Sequence, residues 1–358
     1  MMKSHRTQAG MMGLFLLMII GGLTLVTCDE APFGPNGASS QDYRIYFTYW
    51  ASEGYVYWYK PLARELDSVA IPWDSSKEWL FTAKDPTVSA DGRLLYQPLN
   101  PNVVVFDTKS WEVIDTLPYY VWSEPVVVSP HGGYVALPGD TLRVLRASDY
   151  SLVYTDPRRT YGGHFPESEE RYYYAVEDTV VVVDLAKPLD DPRKETIRNG
   201  ATYRILTVPD ESKWVLFATV NGGSVFAVFD AEGDSLSFQI PHYPGGGDIA
   251  VTRDGETAFF TNPGSFVTLP GDCFVTVVDL ETLRVTDLIP TLQQQDTSQD
   301  YCIWAGRLGI TPDGQYLIGM DDIQFHSSFV LIDLSKLEMI DWLRPRKEIA
   351  QFSIGIAP

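Results

Sequence analysis

The sequence predicts an all-β fold: a seven-bladed β-propeller of four-stranded antiparallel blades, closed by pairing the N-terminal strands with the C-terminal strand. Three observations carry this. A phrase of apolar strand, Asp, short polar turn and second strand recurs about every 45 residues, the period of a four-stranded blade. A second phrase, strand, tight turn, strand, precedes the copies. The chain ends in FSIGIAP, which repeats the opening half of that second phrase as it stands in GRLGITPDGQYLIGM at residues 306–320.

The first phrase reads VVVFDTKSWEVIDTL from Val103, VVVVDLAKP from Val180, FAVFDAEGDSLSFQI from Phe226, VTVVDLETLRVTDLI from Val275 and FVLIDLSKLEMIDWL from Phe329. Two weaker copies lack the Asp: VYWYKPLARELDSVAI from Val56 and LRVLRASDYSLVY from Leu142. The column is therefore Lys60, Asp107, Arg146, Asp184, Asp230, Asp279 and Asp333. Its carboxylates are expected to accept backbone N–H groups of the turn that follows, a structural task.

The second phrase reads TVSADGRLLY from Thr87, VVSPHGGYVAL from Val127, HFPESEERYYYAV from His164, TVPDESKWVLFATV from Thr207, AVTRDGETAFFT from Ala250 and GITPDGQYLIGM from Gly309. DG pairs suit a tight hairpin that needs positive φ. The seventh copy is split. GIAP at the C-terminus supplies an inner strand and YRIYFTYW, residues 43–50, supplies its neighbour. Pairing the two leaves no open sheet edge.

Residues 1–28 read as a signal segment. Lys3, His5 and Arg6 precede an apolar run at residues 11–26 that is short for a membrane span. LVTC, ending at Cys28, resembles the bacterial lipobox, with Thr27 where Gly or Ala is usual; the resemblance implies lipidation of Cys28. Residues 29–42, rich in Pro, Gly and Ser, read as a flexible tether. The propeller then occupies residues 43–358. The expected address is the bacterial cell envelope, periplasmic or surface-facing, with the membrane reached only through the lipid anchor. The formal charge of −20 repels phosphate backbones, so no nucleic-acid partner is expected.

The pattern V-[ST]-P-D-G … V-x-V-[IV]-D-L resembles the YVTN-type bacterial propeller repeats. It is similar to the wider quinoprotein amine dehydrogenase-like group, and it spans residues 43–358. The resemblance implies the fold. It leaves function open, because this fold carries binders, scaffolds and several kinds of enzyme.

In such a fold the loops entering the inner strands and those joining second to third strands share one face, here called the top. Aligning the inner strands backwards from their turns places Asp85, Glu124, Arg204, Asp248 and Arg307 near the mouth of the axial channel, with His164 deeper among small residues. Carboxylates beside two arginines would take a polar or zwitterionic ligand, or a cation; the alternative is a ring of mutually neutralising charges around water. His164 is expected to be a hydrogen-bonded channel residue. In haem-binding propellers of the resembled group a His ligates iron, but the sequence's five His show no metal-ligand spacing, and no metal is expected. Trp122 and Trp304 are expected as exposed contact residues on top loops. Cys273 and Cys302, on top loops of adjoining blades, are expected to form a disulfide that pins the insertion at residues 291–306.

No GxSxG elbow, HExxH or P-loop is present. The reading is a monomeric, envelope-anchored, non-enzymatic module that binds another envelope protein or a small polar ligand through its top face, without a cofactor. The alternative is a periplasmic propeller enzyme, quinoprotein dehydrogenase-like or lyase-like, with an unknown redox cofactor or metal ion at the channel mouth.

Overall fold

The computed structural model describes residues 44–48, 55–60, 63, 65–70, 86–99, 101–119, 121, 125–188, 193–196, 200–220, 223–230, 236–242, 247–262, 274–294, 300–302, 307–311, 313–320, 329–343 and 351–357. Among these there is no helix. Seven four-stranded antiparallel sheets and one two-stranded ribbon account for the strands.

Blade 1 takes its inner strand, Gln351–Ala357, from the C-terminal end and continues outward through Arg44–Thr48, Tyr55–Lys60 and Glu65–Ala70. Arg44 pairs with Ala357, Ile45 with Ile356 and Tyr46 with Gly355. The other six blades run inner to outer in chain order. Their inner strands are Thr87–Val88, Val127–Val128, Tyr161–His164, Gly200–Thr207, Ile249–Val251 and Arg307–Ile310. The ribbon, Leu292–Gln294 with Asp300–Cys302, stands between blades 6 and 7.

The core lies between blades, because each strand alternates its side chains between the two sheet faces. In blade 1, Ile45 and Phe47 pack against Ile318, Phe329 and Leu331 of blade 7, while Tyr46 packs with Val88, Leu95 and Phe106 of blade 2. Every adjoining pair of blades has such a cluster. The blade 3–4 cluster is built on Phe165, Tyr172 and Tyr174, and the blade 4–5 cluster on Tyr173, Ile205 and Trp214. Burying one such side chain is worth about 1.5–3 kcal/mol.

The recurrent column marks the last residue of the third strand in all seven blades: Lys60, Asp107, Arg146, Asp184, Asp230, Asp279 and Asp333. Asp107 Oδ1 accepts the amides of Lys109 at 2.9 Å and Ser110 at 2.8 Å. Asp279 Oδ1 accepts the Thr282 amide at 2.6 Å, and Asp333 Oδ1 the Ser335 amide at 2.9 Å. In blade 3, where Arg146 holds the column, Asp149 accepts the Ser151 amide at 3.0 Å instead. These bonds favour the ionised form. The turn amides hold Asp107 and Asp279 below the ordinary carboxylate range, and Lys336 with Ser335 holds Asp333 down at about 2.

Four of these turns end in a large residue at positive φ: Trp111 (59°), Tyr150 (54°), Leu283 (54°) and Leu337 (53°). This conformation strains a bulky L residue. Packing compensates, since Trp111 stacks on Trp58 of blade 1 at 4.6 Å between ring centroids, and Leu283 and Leu337 lie against the neighbouring clusters. The inner hairpins show the same contrast. Gly92 takes φ 71° in the first DG turn, but blades 4 and 5 place Glu169 (53°) and Glu211 (57°) at that position. Both carboxylates reach the preceding blade. Glu169 accepts the His131 amide. Glu211 accepts Ser168 Oγ–H at 2.6 Å and Tyr173 O–H at 2.6 Å, and pairs with Arg171 at 3.1 Å.

At the outer part of the blade 3–4 seam, Asp156 is buried. Arg158 Nε donates to its Oδ1 at 2.9 Å, and Tyr174 O–H donates to its Oδ2 at 2.6 Å. Burial opposes ionisation, but the Arg158 and Tyr174 bonds outweigh it and hold the carboxyl down at about 2. A carboxyl with a depressed native pKa stabilises the fold fully above about pH 4 and loses that contribution as pH falls towards 2. Asp156→Asn is therefore expected to lower the unfolding free energy at neutral pH by about 1–2 kcal/mol. The gap to the parent should close between about pH 4 and 2, as read by denaturant melts across that range.

Candidate functional site

The inner strands line an axial channel with two compartments. The upper one, about 200 Å³, lies towards the face where the inner strands begin and is lined by Thr87, Val126, His164, Arg204, Asp248 and Leu308. The lower one, about 520 Å³, opens at the inner hairpin turns. Val128, His164 and Leu206 line both.

His164 occupies this waist for a local reason. In GGHF, the pairing of inner strand with second strand shifts register between Tyr161 and Gly163, and Gly162 takes φ 62°. A bulge of this kind re-aims the side chains that follow it. Gly163 is required because a Cβ there would stand 1.9 Å from Tyr172 Oη. The Tyr172 ring fills the space beside the backbone, and the next side chain, His164, lines the channel. The imidazole has no hydrogen-bond partner among the described residues, so the expected hydrogen bond to it is not found there. Burial, and then the positive charge of Arg204, hold its pKa well below the ordinary value, at about 3. The ring is neutral throughout the physiological range, with one nitrogen donating and one accepting.

Arg204 and Asp248, two of the residues expected near the channel mouth, form an ion pair. A register shift between Thr202 and Arg204 precedes the arginine. Arg204 Nε lies 2.9 Å from Asp248 Oδ1, an ion pair in which the N–H does not point along the contact. Asp248 is 2 % exposed and its second oxygen accepts the Leu308 amide at 2.9 Å. Its own amide donates to Thr261 Oγ1 at 2.9 Å. One carboxylate thus joins blades 5, 6 and 7 and fixes the guanidinium, which is 24 % exposed and has no other partner among the described residues. Asp248 is a positioning group; Arg204 is the accessible one, a planar fork suited to carboxylate or carbonyl oxygens.

Asp85, Glu124, Trp122 and Trp304 lie outside the described residues, as do Cys28 and Cys273. The strands carrying Arg307 and Cys302 are described, but not those side chains. Among the described residues no three His, Cys, Asp or Glu side chains gather as a metal-ligand set. The lower compartment escaped the sequence reading. Its walls mix Val, Leu, Ile, Phe and Pro with the Ser and Thr of the hairpin turns, which in a linear sequence read as ordinary core and ordinary turn.

No family model matches the chain, and no curated protein matches it. Solved structures do, at the level of fold. Kuenenia stuttgartiensis hydrazine synthase aligns with TM-score 0.58 and 15% identity over 71% of this chain and 77% of that one. The dihydro-heme d1 dehydrogenase NirN, in complex with DHE, aligns with TM-score 0.54 and 16% identity over 87% of this chain and 74% of its own. The propeller domain of Myceliophteria thermophila Cps50 (Swd1) aligns with TM-score 0.58 and 13% identity over 75% and 89%. The chain is similar to these β-propellers in architecture. They include enzymes and a WD40-type propeller, so the likeness establishes the fold class and not the activity.

Proposed function

We propose that the protein is an envelope-anchored β-propeller that binds its ligand non-enzymatically at the upper end of the axial channel, held off a bacterial membrane by lipidated Cys28 and the tether at residues 29–42. It acts as a monomer, on a small polar ligand or an exposed polar group of another envelope protein. The observation that carries this reading is the Arg204 side chain, which lines the upper compartment, keeps part of its surface accessible and lies 2.9 Å through Nε from the buried Asp248 carboxylate. The acidic surface favours a ligand without multiple negative charges.

The test uses acetate, glycine and choline as probes, read by thermal shift of the purified protein. Acetate and glycine, which offer a carboxylate, are expected to stabilise; choline is not. Arg204→Met, which keeps the length of the side chain, is expected to abolish the shift; the double variant Arg204→Met/Asp248→Asn, which strands no buried charge, is expected to abolish it too while staying closer to the parent's unliganded melting temperature. Equal shifts from all three probes, or a shift retained by Arg204→Met, overturn the reading.

A second reading, a propeller enzyme working in the same channel, draws on the unpartnered neutral imidazole of His164 beside Arg204. A visible absorption band or stoichiometric metal in the purified protein would favour it.

A further inference from the structure

The lower compartment is larger than the upper one and differs in chemistry. Its lining includes Ser129, Thr252 and Thr311, yet their hydroxyls are already engaged in the hairpins. Ser129 Oγ accepts the Tyr134 amide at 2.9 Å. Thr252 Oγ1 donates to Asp254 at 2.6 Å and accepts the Thr257 amide at 3.0 Å. Thr311 Oγ1 does the same with Asp313 at 2.6 Å and Tyr316 at 3.0 Å. The polar atoms of these turns are therefore used by the fold, and a guest would meet Val88, Val128, Phe165, Leu206, Val251 and Ile310.

Two polar side chains on the inner wall are left open among the described residues: His164 at the waist, and Thr207, whose buried Oγ1 has no hydrogen-bond partner. Charge is confined to the entrance. There Glu167 pairs with Arg253 at 3.4 Å and lies 3.8 Å from His131 Nε2, so the rim carries its own counterions. The volume of about 520 Å³ lies in the range of small-molecule sites, which are commonly apolar with a few convergent polar groups.

From this we infer that the lower compartment is a second binding site, entered from the hairpin-turn face, for an uncharged molecule with a compact apolar body and one hydroxyl or carbonyl that bonds to His164. It is distinct from the Arg204 site, because its walls hold no charge and its entrance is at the opposite end of the channel. A charged guest would lose its hydration there without a countercharge on the walls. A purely apolar guest would forgo the hydrogen bonding that His164 and Thr207 offer.

The probe is 2-naphthol, followed by its fluorescence at pH 7 with the purified full-length protein. Naphthalene, which lacks the hydroxyl, and 2-naphthoate, which is charged, are the comparisons. Saturable binding of 2-naphthol at one per chain is expected, tighter than either comparison. Ala90→Trp is the first variant. Ala90 lies on an exposed turn at the edge of the compartment, so an indole there fills the cavity without entering a core cluster. It is expected to weaken 2-naphthol by about tenfold or more. His164→Phe is expected to weaken 2-naphthol about fivefold, the worth of one hydrogen bond, without weakening naphthalene. Arg204→Met is expected to leave 2-naphthol binding intact, which separates this site from the upper one. Absence of saturable binding, binding unmoved by Ala90→Trp, or equal affinity for 2-naphthoate overturns the inference.

Discussion

A protein lacking residues 351–358 is expected to lose its cooperative thermal transition and to elute as an expanded or aggregated species. Blade 1 would lose its inner strand, and with it the pairs Arg44–Ala357, Ile45–Ile356 and Tyr46–Gly355. Each backbone hydrogen bond is worth about 1 kcal/mol net. The larger cost is apolar. Ile45, Phe47 and Tyr46 are held at 1 % exposure or less, and they anchor blade 1 to blades 7 and 2. Uncovering each costs about 1.5–3 kcal/mol. Together these losses reach the whole margin of about 5–15 kcal/mol by which a domain is stable. The newly exposed edge at residues 44–48 would also invite pairing between molecules. Far-UV circular dichroism melts and gel filtration read both effects. A cooperative melt within a few degrees of the parent shows instead that residues 351–357 are dispensable to the sheet.

The same closure was legible in the sequence, and for a physical reason. Blade periodicity is a constraint repeated seven times, so a missing half-phrase at one end and an unmatched strand at the other stand out. The Asp column was legible because a carboxylate at a strand end has few other uses; it closes the third strand in five blades, with Lys60 and Arg146 at that place in the other two. The sequence put Arg204 and Asp248 near the channel mouth from their offsets to the turns, but their ion pair was not legible, because it is made between blades and depends on the register of both inner strands. Three further things were not legible. Glu169 and Glu211 adopt the backbone conformation that glycine takes in other blades, and nothing local forecasts it; the contacts that hold them come from the preceding blade, about 40 residues away. The engagement of Ser129, Thr252 and Thr311 in their own turns makes a wall apolar that composition alone would class as polar. The lower cavity itself arises from the way inner strands diverge around an axis, which no single repeat encodes.

Gly163 shows how tightly fold and channel are joined, and Gly163→Ala is expected to disturb both. The new methyl group would lie 1.9 Å from Tyr172 Oη and 2.5 Å from its Cζ, distances no side chain sustains. Relief requires moving the Tyr172 ring, which packs tilted against Phe165 at 4.5 Å and stacks on Tyr174 at 5.8 Å between centroids. Those rings are fully buried among Leu142, Val144 and Val181, so they have no free volume to move into. Overpacking of this kind costs about 1–3 kcal/mol, or roughly 2–6 °C in melting temperature for a domain of this size. The alternative relief is to shift the inner strand, which displaces His164 and the waist of the channel with it. Pairing the change with Tyr172→Phe removes the nearest atom but not the ring carbon. The double variant should therefore recover part of the loss, and the two substitutions should be non-additive. Their coupling, read from melts of the four proteins in the cycle, distinguishes a steric contact from a general effect of alanine on the strand. A single Gly163→Ala variant that melts with the parent and retains 2-naphthol binding would show that the phenol does not occupy that space, and that His164 reaches the channel for some other reason.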